Sequence, residues 1–248
     1  MSSDCFRFKQ FEVEHRLCAM KVGTDAVLLG AWVTGYGLRV TGECKVESGK
    51  WKVLDVGTGS GVIALMLAQR FEQAEIDAID IDGDAVRQAG ENFDRSPWSK
   101  RLHCRQIALQ ELAEEQCGYY DAIVSNPPYF VDSLKNPNQQ RQTARHTDTL
   151  SYEELLSAAA RLLKESGSLS LILPAEAERA IVALAAERGL YPTRLVHIYS
   201  KPGKPVKRIL IELKKRNDQP CEESHFYIES ESSPRSDEYT ALTKDFYL

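Results

Sequence analysis

Asn126-Pro127-Pro128-Tyr129 is a turn whose residue types could act on a planar nitrogen. An exocyclic ring amine or an amide nitrogen is a poor nucleophile because its lone pair is delocalised. Asn126 Oδ1 and the Pro127 carbonyl could accept from its two hydrogens and favour the pyramidal, attacking form. The two prolines stiffen the turn, so the acceptors are in place before the reaction begins. Tyr129 adds a ring on which a flat target can stack. A second group lies earlier, in Val53-Leu54-Asp55-Val56-Gly57-Thr58-Gly59-Ser60-Gly61. Here an apolar strand runs into a glycine turn, and the pattern from Val62 onward is that of an apolar helix. Glycines let the backbone bend sharply and approach a ligand closely. A helix beginning near Ser60 would aim its positive end and free N–H groups at that turn. Nineteen residues after Gly61, at the end of the next strand-like run, comes Asp80. Its carboxylate could accept from both hydroxyls of a ribose, and turn plus acid describe a nucleoside site in a doubly wound sheet. Asp82 reads as the cap of the helix that follows.

Alternating elements position these groups. The patterning predicts strands over 52–56, 75–79, 102–107, 120–124 and 168–173, and helices over 60–70, 83–94, 109–114, 152–165 and 175–188. Ser151 and Glu154 form a capping box for the fourth helix. Two further strands, 193–200 and 206–214, flank a Lys-Pro-Gly-Lys-Pro turn and should pair as a hairpin, with 206–214 the antiparallel member of the sheet. Before the core, Phe6–Phe11 alternates like a short strand, and Thr24 or Asp25 could cap an apolar helix over 26–33. Glycines 35, 37, 42 and 49 mark a loop into the sheet. The acidic tail, 217–248, shows a strand-like bit at 226–228 and a helix over 238–246. Alternating strands and helices with right-handed crossovers give a mostly parallel sheet covered on both faces. The chain reads as one domain: an N-terminal extension (1–50), a core (51–216) and an acidic C-terminal extension (217–248).

Composition narrows the class. The 248 residues are 43% hydrophobic, and no stretch is long and apolar enough for a membrane helix. The N-terminus lacks the apolar run of a signal peptide. The six cysteines are scattered, without a CxxC pair or clustered histidines, so no metal is expected and a reducing cytoplasm fits. Net charge is −5, but it is unevenly spread. Residues 133–147 carry +3 and residues 194–216 carry +7, leaving −15 on the rest. Local basic segments are what contact phosphates, although two solvated loops would look the same.

The glycine turn is shared by several nucleotide-dependent enzyme classes; with Asn126–Tyr129 it resembles the class I methyltransferases that use S-adenosylmethionine. That resemblance implies a Rossmann-like α/β fold with a seven-stranded, mostly parallel sheet ending in an antiparallel hairpin. Phe6–Phe11, Ala19-Met20-Lys21-Val22-Gly23-Thr24-Asp25, Leu28–Trp32, Ala64–Arg70, Ser96-Pro97-Trp98 and Tyr239–Tyr247 are similar, across nearly the whole chain, to the bacterial tRNA-Val adenine N6-methyltransferase family. The family methylates N6 of adenosine 37, next to the anticodon. The resemblance implies S-adenosylmethionine as cofactor, tRNA as partner, and no metal, membrane or obligate protein partner. It places Lys21, Gly23, Thr24 and Asp25 beside the cofactor. From the residues alone, that segment fits a plain helix start as well as a cofactor lid. Asp55, Gly57, Thr58, Gly59, Gly61, Asp80, Ile81 and Ala108 complete the implied cofactor site. Relatives carry an Asp that accepts from the adenine amine where this chain has Ala108. Catalysis falls to Asn126, Pro127, Pro128 and Tyr129. Phe130, Lys135, Arg141 and Arg145, and the hairpin's Lys201, Lys204, Lys207 and Arg208, are the expected tRNA contacts. Competing readings are a glutamine N5-methyltransferase of release factors, an enzyme for another RNA or DNA adenine, and a non-catalytic RNA-binding module. The first usually carries a helical domain before the core, and the last should have lost Asp80 or Asn126.

Overall fold

Val53-Leu54 and Ile123-Val124 bury consecutive side chains, which a strand can do only where its sheet is covered on both faces. The computed structural model describes residues 4–33, 51–128, 150–216 and 219–248 and has this architecture. Strands β3 (Trp51–Val56), β4 (Ala74–Asp80), β5 (Leu102–Gln106), β6 (Tyr120–Ser125), β7 (Leu163–Pro174), β8 (Tyr191–Tyr199), β9 (Val206–Lys214) and β10 (Glu222–Tyr227) form one sheet in the order β10-β8-β9-β7-β6-β3-β4-β5. β9 pairs antiparallel with both β7 and β8; every other pairing in this sheet is parallel. Helices α1 (Thr24–Trp32), α2 (Val62–Arg70), α3 (Gly83–Arg95) and α7 (Asp237–Thr243) bury their apolar residues on one face. Helices α4 (Leu109–Glu115), α5 (Tyr152–Leu162) and α6 (Glu178–Ala186) cover the other.

The sheet has eight strands rather than seven. The eighth, β10, has the sequence Glu-Glu-Ser-His-Phe-Tyr, too polar to register as a strand before Phe226. It forms because the open edge of β8 offers backbone donors and acceptors along its length. The strand expected over Phe6–Phe11 is formed only at its start: β1 (Cys5–Arg7) pairs antiparallel with β2 (Glu12–Glu14), and Phe8–Phe11 is the turn between them, closed by Phe8 N–H donating to the Phe11 carbonyl. The alternating aromatics of that run are core packing: Phe6, Phe8, Phe11, Trp98 and Tyr247 make a ring cluster that joins the two ends of the chain. Neither Thr24 nor Asp25 caps α1; Gly23 holds the N-cap position without a side-chain bond. The capping box of α5 is formed, and Asp82 caps α3 through the Asp84 N–H. α5 ends at Leu162, earlier than the expected 165, because β7 already begins at Leu163.

Candidate active site

β3 ends directly beneath the glycine turn. Gly57, Gly59 and Gly61 all have positive φ (69°, 55° and 80°), the left-handed region that side chains disfavour. A Cβ on Gly57 or Gly59 would meet nothing within 4 Å, so the turn leaves open space for a ligand. Gly61 has a different reason to be glycine: an added Cβ would lie 2.5 Å from a ring carbon of Phe93 on α3. Gly61→Ala is therefore expected to destabilise the fold by ~1–3 kcal/mol, from strain and overpacking together. A denaturant midpoint equal to wild type would contradict this account.

The turn is fixed from below and from the side. The Gly57 and Thr58 N–H groups both donate to the Ile79 carbonyl at the end of β4. The Gly59 N–H donates to Asp80 Oδ2 at 2.9 Å, and the Asp82 N–H to Asp80 Oδ1 at 3.1 Å. Asp80 thus stands at the lip of the turn with a lone pair remaining on each oxygen. The helix behind the turn starts at Val62, two residues later than expected, with Gly61 as its N-cap.

Asp55 is fully buried. Its Oδ2 accepts from the Thr58 hydroxyl at 2.7 Å, while Oδ1 has no hydrogen-bond partner among the described residues. Burial pushes its pKa up to about 7; the Thr58 hydroxyl and the Ala64 N–H oppose the rise, and the nearby Asp80 charge adds to it. A half-satisfied buried acid beside a second carboxylate favours a cation. S-adenosylmethionine carries a sulfonium and an ammonium, so the donor set and the open space above Gly57 and Gly59 fit that cofactor.

The Asn-Pro-Pro turn is placed by strand register. Ser125 pairs with Val56, and its hydroxyl donates to the Val56 carbonyl at 2.8 Å. Asn126 therefore leaves β6 beside Gly57, about one strand spacing away, ~4.8 Å. Pro127 is buried and Pro128 exposed, as a turn rising from the sheet requires. Tyr129, Phe130, Lys135, Arg141 and Arg145 lie outside the described residues.

Where the adenine is expected, Ile81 is apolar yet 50% exposed, a surface on which a flat group could rest. Ala108 is the N-cap of α4 and offers no side-chain acceptor. Sequence reasoning passed over Gln106, which pairs with Asp80 across β4 and β5 and so leaves the same face. Its Nε2 donates to the Ile81 carbonyl, and Gly83 provides the room for it. Asn92 was also missed. Buried on α3, it accepts from the Glu14 N–H and donates to the Glu14 and Ser60 carbonyls, tying the N-terminal hairpin to the glycine turn.

Asp25 and Arg208, expected to serve cofactor and tRNA respectively, meet each other: Arg208 Nε donates to Asp25 Oδ2 at 3.0 Å. Lys21 and Gly23 are exposed just before α1, and Thr24 is exposed as its first residue. Lys201 and Lys204 are exposed on the β8–β9 turn, and Lys207 is exposed at the start of β9. β8 runs parallel to β6, so that turn and Asn126 share the carboxyl-end rim of the sheet. Among the described residues no cluster of three metal-binding side chains forms, and no helix is long and apolar enough to cross a membrane.

A glycine turn and strand-end acid on a parallel sheet, with Asn-Pro-Pro one strand away, define the methyltransferase class. Residues 43–185 match the model of the Methyltransferase small domain. The fold agrees: a predicted O-methyltransferase of Agrobacterium tumefaciens superposes with a TM-score of 0.68 at 18% identity, covering 90% of this chain and 96% of that one. Geranyl diphosphate C-methyltransferase of Streptomyces coelicolor, solved with S-adenosyl-L-homocysteine, superposes at 0.51 with 13% identity, over 68% of this chain and 74% of its own. The chain belongs to the tRNA1(Val) (adenine(37)-N6)-methyltransferase family. It is 47% identical to the member from Parabacteroides distasonis, over all of this chain and 99% of the relative. It is 44% identical to that from Flavobacterium psychrophilum, over 98% and 99%.

Proposed function

We propose that this chain transfers the methyl group of S-adenosylmethionine to N6 of an adenosine in tRNA, with adenosine 37 of tRNA-Val, the substrate named for its relatives, as the target. One observation carries the reading: Asn126, an acceptor suited to an exocyclic amine, emerges beside the glycine turn suited to the cofactor. When bound, S-adenosylmethionine supplies a methyl already activated on sulfur. The chain's residues do the rest. Asp80 would hold the ribose hydroxyls, Ile81 and Gln106 would back the adenine, and Asp55 would offer its charge to the amino group. Asn126 Oδ1 and the Pro127 carbonyl accept from the target amine and pull its lone pair toward attack, while Tyr129 replaces the stacking that the flipped base gives up. No strong base is required, because nitrogen can release its proton after the transfer.

The test is tritiated S-adenosylmethionine offered in parallel to total tRNA, release factor and single-stranded DNA, followed by nucleoside analysis. N6-methyladenosine from tRNA supports the reading, and label confined to protein or DNA overturns it.

The lysines of the β8–β9 turn are the proposed phosphate ligands, since they stand on the same rim as Asn126. Lys204→Glu with Lys207→Glu is expected to weaken tRNA binding and leave S-adenosylhomocysteine binding unchanged. For every phosphate that is no longer neutralised, the plot of log K against log salt should flatten by ~0.7–0.9. A wild-type slope would make these lysines a solvated loop and return the footprint to Lys135, Arg141 and Arg145.

A further inference from the structure

The edge of the sheet beyond the lysine turn carries four rings that the reaction does not use. Register pairs His197 with His225 and Tyr199 with Tyr227, so all four side chains leave the same face of β8 and β10. They stack in two short columns across the strands. The tyrosine centroids are 4.9 Å apart at 23°, and the imidazole centroids 5.6 Å apart at 29°. The rings are held in place: Tyr199 Oη lies 3.1 Å from His225 Nδ1, and His197 Nε2 lies 2.8 Å from Glu178 Oε2 at the start of α6. β10 is the last strand of the sheet, so each column ends at the edge, at Tyr227 and at His225. Among the described residues no further strand pairs with the outer side of β10; His225 is exposed and Tyr227 half-buried. Two residues separate the columns, ~6.6 Å along the strand.

We propose that this edge is a stacking surface for unpaired bases of the RNA substrate, and the proposal rests on the tRNA reading above. Position favours it. Tyr199 and Tyr227 close the carboxyl ends of two parallel strands, on the rim that also carries Asn126. Four strand spacings separate β10 from β6, on the order of 19 Å. Lys201 follows Tyr199 by two residues and supplies the positive charge at the approach. Charge also decides how the RNA is held. Glu222 and Glu223 precede the rings, and Glu229 and Glu231 follow them, lining a cavity with Lys201. Carboxylates on both sides repel phosphates, so the RNA is held through base faces, which stack on any aromatic ring regardless of sequence.

The test measures tRNA affinity at several salt concentrations for wild type, Tyr227→Ala, Tyr227→Phe and His225→Ala, with S-adenosylhomocysteine affinity and solution mass alongside. Tyr227→Ala is expected to bind tRNA about 5- to 150-fold more weakly, the range for removing the partner of one stacked base. Its salt slope should equal wild type, unlike that of the lysine variants, and Tyr227→Phe should retain affinity. Wild-type affinity in both alanine variants overturns the proposal. So does an equal loss in Tyr227→Phe, and so does a wild-type dimer that Tyr227→Ala dissolves, since the edge would then pair with a second copy. If tRNA takes no label from the wild type, the functional reading falls; if tRNA is labelled normally and both alanine variants bind it normally, only the stacking surface falls.

Discussion

Asn126→Ala is expected to lower kcat by about 10²–10³-fold while S-adenosylhomocysteine and tRNA bind nearly as they do to wild type. The factor is that of removing one preorganised acceptor or donor from the point where charge develops. The amine hydrogens become better donors as nitrogen begins to share its lone pair, so the interaction removed belongs to the transition state, and kcat should fall more than KM rises. The fold should survive the substitution for a local reason: Ser125 anchors the end of β6 to β3 through its bond to the Val56 carbonyl. Tyr129→Ala should behave differently and damage both parameters, because base stacking also supports the ground state. Single-turnover methylation of tRNA together with equilibrium binding separates the two patterns. Near-normal kcat in Asn126→Ala would refute activation of nitrogen by this turn.

Asp55→Asn should stabilise the cofactor-free protein at high pH and weaken its hold on the cofactor. In the folded state the Asp55 pKa is raised from its ordinary 3.8 to about 7, chiefly by burial. Between those two values the folded chain keeps a proton that the unfolded chain has released, so stability falls as pH rises through the window. Above it the full penalty remains, on the order of 4 kcal/mol by the pKa difference. Asn is isosteric and its Oδ1 can still accept from Thr58, yet it carries no charge to bury. The melting temperature of Asp55→Asn should therefore exceed wild type at pH 8.5, with the gain shrinking toward pH 5. Cofactor affinity should move the other way, since a neutral amide attracts an ammonium poorly. An increment in melting temperature that is equal at both pH values would show that Asp55 carries no buried charge.

The two predictions rest on side chains of unequal legibility. Asn126 could be assigned a task from its neighbours, because two prolines and a tyrosine constrain a turn whatever surrounds it. Asp55 could be placed before the glycine turn, but its burial and its half-satisfied carboxylate depend on β4, β6 and α2 closing around it. Asp80 was legible by spacing alone. Its bond to the Gly59 N–H, which braces the turn, was not.

The local chemistry of this protein was written in its sequence. Glycines at positive φ, a strand-end acid, an Asn-Pro-Pro turn, a capping box and the β8–β9 hairpin are set by backbone preferences and short-range bonds, which need only adjacent residues. Alternating apolar strands and helices likewise set the doubly wound sheet and the antiparallel place of β9. The tertiary structure alone decided what long-range pairing decides. The polar stretch Glu222–Tyr227 became an eighth strand because β8 had an open edge, and Phe8–Phe11 became a hairpin turn because its rings had a core to enter. Arg208 pairs with Asp25, 183 residues away, a contact that no local pattern announces. Gln106 and Asn92 gained their places from register and helix docking. These choices depend on which backbone groups and which surfaces remain unsatisfied once the rest has assembled, and no window of neighbouring residues carries that information.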